Sequence, residues 1–218
     1  MDEPNGTRST PQDPPRIRRE PRQERSRARV RQIFEAADEI LSTEGFEALT
    51  VRRIAQCAQV PVGSIYQFFP DKAAIVDALA RGYIEQFDAA IESLVREAAG
   101  PGWADPVGTL VDEFAGLYRS RPGYVALWSG RHLSPELARA DDANNAAIAD
   151  GVRRILAGQG ILPDGAGLAR LSRLAVVVAD ALLQFAFRCD PRGDEAVLGE
   201  LKTLLRLYLG EAVRRGGA

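Results

Sequence analysis

The chain has 218 residues, 45% of them hydrophobic, which is enough to fill at least one sizeable core. Its 28 basic and 30 acidic side chains leave a net charge of −2, so overall basicity does not indicate a polyanionic partner. The two cysteines exclude a disulfide framework and a four-ligand zinc site, and no apolar run is long enough to span a membrane. We therefore expect a cytoplasmic protein with no metal, no other cofactor and no membrane partner.

The first segment, residues 1–22, is rich in proline and poor in apolar side chains, and this composition predicts a disordered tail. Eight arginines lie between Pro14 and Phe34 against only two glutamates, which makes this part of the chain locally basic. A charge run of this kind is more often a solvated surface than a binding element. Its role depends on the elements that follow it.

Three helices are predicted next, of which the second and third are short. Apolar residues from Val30 to Leu41 recur every three or four positions, which predicts a first helix that begins at Glu24 and ends at Gly45. Thr50 is a good N-cap for a second helix of about two turns, and a third helix lies between Pro61 and Pro70. Helices this short are marginal alone, so they must pack on the first helix.

The remainder of the chain predicts a helical bundle. Asp71 can cap a long fourth helix at 71–98, and further helical runs follow at 105–121, 122–132, 135–158, 164–189 and 193–214. Prolines fall near the starts of these runs, where a helix tolerates them. No strand pattern is present. We expect an all-α fold of about nine helices, with a three-helix unit at 23–70 and a larger bundle at 71–218.

The two short helices and the turn between them fit a helix-turn-helix, whose second helix enters the major groove of DNA. Periodicity alone favours this interpretation and a plain three-helix core equally. The small residues Gly63 and Ser64 would let a phosphate approach, and Gln67 could pair with adenine. Lys72 lies in the first turn of a helix, where the dipole favours anions, and a phosphate partner would remove that conflict. These residues favour the DNA-binding interpretation.

Residues 26–80 resemble the DNA-binding domain of the tetracycline-repressor (TetR) family. The segment that carries the resemblance is ILSTEGFEALTVRRIAQCAQVPVGSIYQFFPDKAAIVDAL, with its Gly-Phe, capping Thr, Ile-Ala, Gly-x-Ile-Tyr, aromatic Phe and Lys. The resemblance implies a DNA-binding domain followed by a bundle that binds a small-molecule effector and forms a homodimer. It also implies DNA contacts through Thr50, Tyr66 and Lys72 to phosphates and through Val62, Ser64 and Gln67 to the groove; Gly63, Arg52 and Arg53 are further candidates.

The turn departs from the family pattern at two positions. Gln59 replaces a small residue, often Gly, and a non-Gly residue in a left-handed conformation would cost roughly 1–2 kcal/mol. Pro61 replaces a capping Ser, and its side chain has no oxygen with which to cap the third helix. Because the basic run lies just before this unit, we expect Arg16 to Arg29 to reach toward the adjacent minor groove or backbone.

The last two helices are the expected dimer interface, because the resemblance implies a four-helix interface with the twofold partner. The candidates for this interface are Val177, Asp180, Ala181, Gln184, Leu201, Leu204, Leu205 and Tyr208. Asp180 and Gln184, one turn apart, could instead serve an effector pocket. Apolar walls with a few polar groups typify such a pocket, and our candidates for it are Phe114, Tyr118, Trp128, His132, Asn144 and Phe185.

The function expected from these features is that of a bacterial transcriptional repressor that releases a pseudo-palindromic operator in double-stranded DNA when an effector binds. An enzyme is the first alternative, but one histidine and no catalytic motif provide no set of catalytic residues. The second alternative is a helical protein-interaction module that does not read DNA. Repression rather than activation is implied by the resemblance alone.

Overall fold

The computed structural model describes residues 24–100, 102–129 and 134–216, and in this part of the chain all regular elements are helices. The nine α-helices described are α1 (Glu24–Thr43), α2 (Val51–Cys57), α3 (Val62–Tyr66), α4 (Lys72–Ala98), α5 (Pro106–Ser120), α6 (Pro122–Ser129), α7 (Pro135–Gly158), α8 (Ala166–Cys189) and α9 (Glu195–Gly216). The expected all-α fold is confirmed. The predicted tail, residues 1–22, lies outside the described residues.

The helix starts follow local chemistry. The Thr50 hydroxyl accepts a hydrogen bond from the backbone N–H of Arg53 at 3.1 Å, and the Asp71 carboxylate accepts one from Ala74 at 2.9 Å. Each bond pairs an N–H group that has no partner within its own helix. Helices α5, α6 and α7 each begin with a proline, whose missing N–H is harmless at that position. The predicted caps of α2 and α4 are therefore confirmed.

Helices α1 to α3 form a small unit whose stability comes from shared burial. Ile33 and Ile40 of α1, Ile54 of α2 and Ile65 of α3 are all completely buried, together with Phe69 just after α3. Each such side chain contributes roughly 1.5–3 kcal/mol of hydrophobic stabilisation. This burial stabilises helices that are too short to persist alone.

Helix α4 leaves this unit and becomes a central element of the bundle, where it packs along α7. The two helices approach so closely that a Cβ atom placed on Gly151 of α7 would overlap Cγ1 of Ile91 on α4. Helix α7 packs in turn on α8, and α8 on α9. The absence of a side chain at Gly151 thus sets the distance between the two longest inner helices.

A second contact joins the three-helix unit to the bundle, between α1 and α6. The Tyr83 hydroxyl of α4 donates a hydrogen bond to the carboxylate of Asp38 on α1, and burial raises the pKa of this carboxyl. Gly123 of α6 lies against the same pair, since a Cβ atom there would be 2.7 Å from Asp38 Oδ1 and 3.0 Å from the Tyr83 hydroxyl. We call Asp38, Tyr83 and Gly123 the junction. It connects the short-helix unit to two bundle helices.

Candidate DNA interface and ligand cavity

Helix α3 has one buried and one exposed face. Ile65 is completely buried, whereas Val62, Gly63, Tyr66 and Gln67 are exposed. Val62 and Gln67, predicted to face the groove, therefore share the outer surface of α3 with Tyr66, predicted to contact a phosphate. These three exposed side chains can reach base edges or phosphates.

Ser64, also predicted to face the groove, has a partner in the free chain. It is half-buried, and its hydroxyl oxygen accepts a hydrogen bond from Arg29 Nη1 at 3.5 Å. This bond brings an arginine of the basic run to the start of α3. The remaining expectation for that run concerns residues 16–22, which lie outside the described residues.

The turn before α3 has the geometry expected from its unusual sequence. Gln59 adopts φ 54°, the one non-glycine residue with positive φ in the part of the chain that the structure describes. Pro61 precedes α3 with φ −60° and forms no side-chain cap; only its carbonyl, which accepts from Ser64 N at 2.8 Å, starts the helix. Both expectations for this turn are confirmed. The side chain of Gln59 is exposed, so the strained backbone conformation at this residue does not involve the core.

Three residues predicted to bind phosphate have partners within the chain. The Thr50 hydroxyl uses one lone pair for its cap, so its hydrogen remains available to a phosphate oxygen. Arg53 forms an ion pair with Glu44, with Nη2 2.6 Å from Oε1, and this pair must open before Arg53 binds DNA. Lys72 Nζ donates to the Phe46 carbonyl at 3.1 Å and lies 4.0 Å from the centre of the Phe46 ring. These contacts hold the cation at the start of α4. Arg52 is exposed.

Helices α4 to α9 surround a cavity of about 100 Å³, counted over the positions that the centre of a water molecule can occupy. This volume would hold several waters. Its wall is mostly aliphatic and aromatic, with a few polar side chains. The polar members and tyrosines of the wall are Tyr118, Tyr124, Asn144, Asn145, Asp180 and Tyr208. The composition is that of a small-molecule site.

Three of the six predicted pocket residues line this cavity, namely Phe114, Tyr118 and Asn144. Trp128 is not part of the wall and instead stacks on Tyr124, with ring centroids 4.2 Å apart. Phe185 is 46% exposed on the outer face of α8, because that helix is apolar nearly all round and periodicity does not identify its inner face. His132 lies outside the described residues.

Asp180 is the charged group of the cavity wall. Its Oδ1 accepts a hydrogen bond from the Tyr118 hydroxyl at 3.1 Å, and its Oδ2 accepts one from Gln184 Nε2 at 2.9 Å. Burial raises the pKa of the Asp180 carboxyl, and these two bonds oppose the effect. Both partners belong to the same chain. Asp180 lines the cavity and Gln184 does not, so the pocket interpretation applies to Asp180, with Gln184 as its hydrogen-bond donor.

Sequence analysis missed two aromatic residues of the wall, and of α6 it selected Trp128 instead of Tyr124. Phe87 of α4 and Tyr124 of α6 line the cavity, and their rings are 5.0 Å apart. Both follow the apolar periodicity of their helices, which indicated burial but could not show which buried rings face an empty space. Asn145 also lines the cavity, so two adjacent amides of α7 reach the wall where sequence analysis named Asn144 alone.

The outer surfaces of α8 and α9 carry large apolar side chains that the described residues leave uncovered. The exposed members are Leu174, Val177, Phe185, Leu204, Leu207, Tyr208 and Val213. The predicted interface residues Val177, Ala181, Leu204 and Tyr208 belong to this exposed surface. By contrast, Leu201 is completely buried in the core of its own chain and Leu205 lines the cavity, because the inner face of α9 is also apolar.

Comparison with known proteins agrees with this geometry. Residues 33–79 match the family described as bacterial regulatory proteins, tetR family, and residues 101–213 match the tetracyclin repressor-like C-terminal domain. The HTH-type transcriptional repressor Rv1474c of Mycobacterium tuberculosis is 31% identical over 186 residues, which cover 82% of this chain and 94% of that protein. The chain belongs to the TetR family of transcriptional regulators.

Matches to solved structures of TetR-family regulators cover most of the chain. A TetR-family regulator from Streptomyces coelicolor has 32% identity and a TM-score of 0.59, and the match covers 84% of this chain and 99% of that one. FadR from Bacillus subtilis, solved in complex with stearoyl-CoA, has a TM-score of 0.64 at 20% identity, covering 82% and 97% of the two chains. At that identity the likeness shows the fold alone.

Membership of the TetR family decides between the classes of function. The chain is a DNA-binding transcriptional regulator with an N-terminal helix-turn-helix domain and a C-terminal ligand-binding domain. The family consists of regulators that are not normally enzymes, and the protein-interaction module is not favoured. In the described ranges, no helix is both long and apolar enough to cross a lipid bilayer.

Proposed function

We propose that this TetR-family protein is a homodimeric repressor that releases a pseudo-palindromic operator when a small, largely apolar molecule occupies the cavity. The observation that carries the proposal is that two helices of the cavity wall, α4 and α6, also contact α1 of the DNA-reading unit. Phe87 of α4 and Tyr124 of α6 line the cavity, while Tyr83 and Gly123 of the same two helices form the junction with Asp38 of α1.

The DNA-reading surface in this proposal is the exposed face of α3. Val62, Ser64 and Gln67 would face the major groove, and Thr50, Arg52, Tyr66 and Lys72 would contact phosphates on either side of it. Arg53 would join them once its ion pair with Glu44 opens. The local positive charge of the preceding run would strengthen binding through counterion release.

The dimer in this proposal forms through the apolar outer surfaces of α8 and α9. A twofold axis there would place the two α3 helices on one face of DNA, with half-sites about one turn, roughly 34–36 Å, apart. Exposed apolar side chains on two adjacent helices are typical of a protein interface. Because DNA binding brings the protein to the chromosome, the cytoplasm is its expected location.

Effector binding would act through α4 and α6. A molecule that pushes the Phe87 and Tyr124 rings apart would displace helices that the junction ties to α1. The displaced state separates the two α3 helices to a spacing that no longer fits the operator. A coupling free energy of about 1–3 kcal/mol would be ordinary for such a switch.

The test is selection of binding sites from random DNA duplexes by the full chain, alongside the Gln67→Ala and Gln32→Ala variants. Gln67 lies on the exposed face of α3, whereas Gln32 is an exposed glutamine on α1 and serves as the matched control. The unmodified chain and the control should enrich the same palindrome, while Gln67→Ala should lose preference at one or two symmetric positions. Flat recovery by the unmodified chain would favour the protein-interaction module instead.

A further inference from the structure

The described wall of the cavity presents hydrogen-bond acceptors without a complementary positive charge. Among the described residues that line it, none is a lysine, arginine or histidine, and Asp180 is the one carboxylate. We propose that the cavity binds an apolar amine in its protonated form, with the ammonium group held by the Asp180 carboxylate and the Asn144 amide oxygen. The inference rests on the proposed function, because it names the chemical class of the effector.

No cationic side chain among the described residues bonds to the Asp180 carboxylate. Its hydrogen-bond donors, Tyr118 and Gln184, are both neutral. A buried carboxylate that is solvated only by neutral donors is less stable than one paired with a cation. Burial raises the pKa of the nearby Asp141 carboxyl to about 6, and repulsion from Asp180 acts in the same direction. An ammonium ion would relieve this accumulation of negative charge.

The Asn144 side chain is a second, independent acceptor. It is only 6% exposed and lines the cavity, and its Nδ2 donates to Asp88 Oδ1 at 2.7 Å. A carboxylate cannot donate in return, so this contact fixes which end of the amide is nitrogen. The other end, Oδ1, accepts no hydrogen bond from any described residue. This oxygen is therefore available to accept a hydrogen bond from a molecule in the cavity.

Aromatic rings complete a site suited to a cation. Phe87 stacks on Phe114 with ring centroids 5.8 Å apart, and Tyr124 lies 5.0 Å from Phe87 and 4.9 Å from Tyr118. The faces of aromatic rings attract ammonium groups, most strongly where water is excluded. The aliphatic remainder of the wall would cover an apolar body.

The same features disfavour acidic effectors. A fatty acid or an acyl-CoA would bring negative charge toward Asp180 with no basic side chain in the described wall to receive it. FadR from Bacillus subtilis was solved with stearoyl-CoA and has a similar fold, but its likeness to this chain does not extend beyond the fold. We expect the two proteins to differ in the charge of the effector they accept.

The inference is tested with three probes that share one apolar body and differ in head group: 4-phenylbutylamine, 4-phenylbutan-1-ol and 4-phenylbutyrate. Binding to the full-length protein is measured by calorimetry at pH 7.5, and operator binding with and without each probe is measured by fluorescence anisotropy. The amine should bind at least tenfold more tightly than the alcohol, and the carboxylate more weakly than the alcohol. The amine should also release the operator at the lowest concentration.

A matched pair of variants locates the charge that sets this preference. Asp180→Asn should reduce the advantage of the amine over the alcohol to threefold or less. Asp142→Asn, which removes an exposed carboxylate on α7, should retain the full advantage. Because the head-group series on the unmodified protein needs no variant, a folding defect in Asp180→Asn would leave the inference testable.

Three results would overturn the inference. They are equal or tighter binding of the carboxylate, an amine preference that survives in a folded Asp180→Asn variant, and failure of all three probes to bind a protein that binds its operator. If the protein without a probe did not bind DNA, that result would instead refute the proposed function. Calorimetry would still test the inference, because it measures the preference among the three head groups without DNA.

Discussion

Gly123 offers a direct test of the junction, because the structure leaves no room for a side chain there. The Cβ atom of Gly123→Ala would lie 2.7 Å from Asp38 Oδ1 and 3.0 Å from both the Asp38 carbonyl oxygen and the Tyr83 hydroxyl. One of these atoms belongs to the backbone of α1, so rotation of a side chain alone cannot relieve the contact. Helix α6 must move away from α1.

The change in folding stability caused by Gly123→Ala is the sum of two opposed effects. Inserting a methyl group into a packed contact costs about 1–3 kcal/mol. Replacing glycine by alanine within a helix contributes up to about 1 kcal/mol of stability in the other direction. Gly116→Ala on α5 isolates the second effect, since it is exposed and a Cβ atom there would meet nothing within 4 Å. We therefore expect Gly123→Ala to be less stable than Gly116→Ala by about 1–3 kcal/mol.

The assay is thermal unfolding of both variants at equal protein concentration. For a domain of this size the expected gap corresponds to a melting temperature roughly 2–12 °C lower for Gly123→Ala than for the control. In an Asp38→Ala background, which removes the nearest oxygen, the cost of Gly123→Ala should shrink. Equal stabilisation by the two glycine substitutions would show that α6 does not press against α1, and it would remove the structural basis for coupling through the junction.

Four further predictions concern other parts of the molecule. Gln59→Gly should raise stability by about 0.5–1 kcal/mol, because relief of a left-handed conformation exceeds the entropy cost of glycine; an unchanged melting temperature would contradict this. Burial raises the pKa of the Asp141 carboxyl to about 6 in the folded chain, from 3.8, so the folded chain binds this proton at a higher pH than the unfolded chain and gains stability as the pH falls from 6 toward 3.8. The Asp141→Asn variant should therefore be more stable than the parent at pH 7.5. Between pH 7.5 and pH 5 its melting temperature should rise less than that of the parent. Removal of residues 1–22 should weaken operator binding and reduce the slope of log affinity against log salt concentration by about 0.9 for each phosphate that the arm would otherwise neutralise. An unchanged affinity and slope would refute the prediction that the basic segment contacts DNA. Val177→Arg, on the exposed face of α8, should yield monomers in light scattering, and a persistent dimer would place the interface elsewhere.

The helices were predictable from the sequence because the residues that start, continue and end each helix lie within that helix or next to it. The fourth helix was expected at 71–98 and is observed at Lys72–Ala98, because the Asp71 cap and the apolar periodicity both act within a few residues of the backbone they order. The left-handed conformation at Gln59 was also indicated, because the TetR-family pattern has a small residue, often Gly, at this position of the turn. In both cases the chemistry that decides the conformation is next to it in the chain.

The contacts of charged residues were not predictable in the same way. Lys72 was expected to need a phosphate, yet its ammonium group has the Phe46 carbonyl and ring as partners. Arg53 pairs with Glu44, a residue nine positions earlier. Sequence analysis identified these side chains as basic groups near the reading helix, and only the folded arrangement shows which acceptors surround them.

The sequence by itself determined the all-α fold, the helix boundaries and the TetR family, because capping, periodicity and the helix-turn-helix motif are short-range patterns. The tertiary structure decided which apolar residues of α8 and α9 face inward. Both helices are apolar on more than one side, so Phe185 was assigned to a pocket although it is exposed, and Leu201 to an interface although it is buried. A cavity is the space left between helices that meet from distant parts of the chain, and Asp180 and Asn144 converge on it only once those helices have packed.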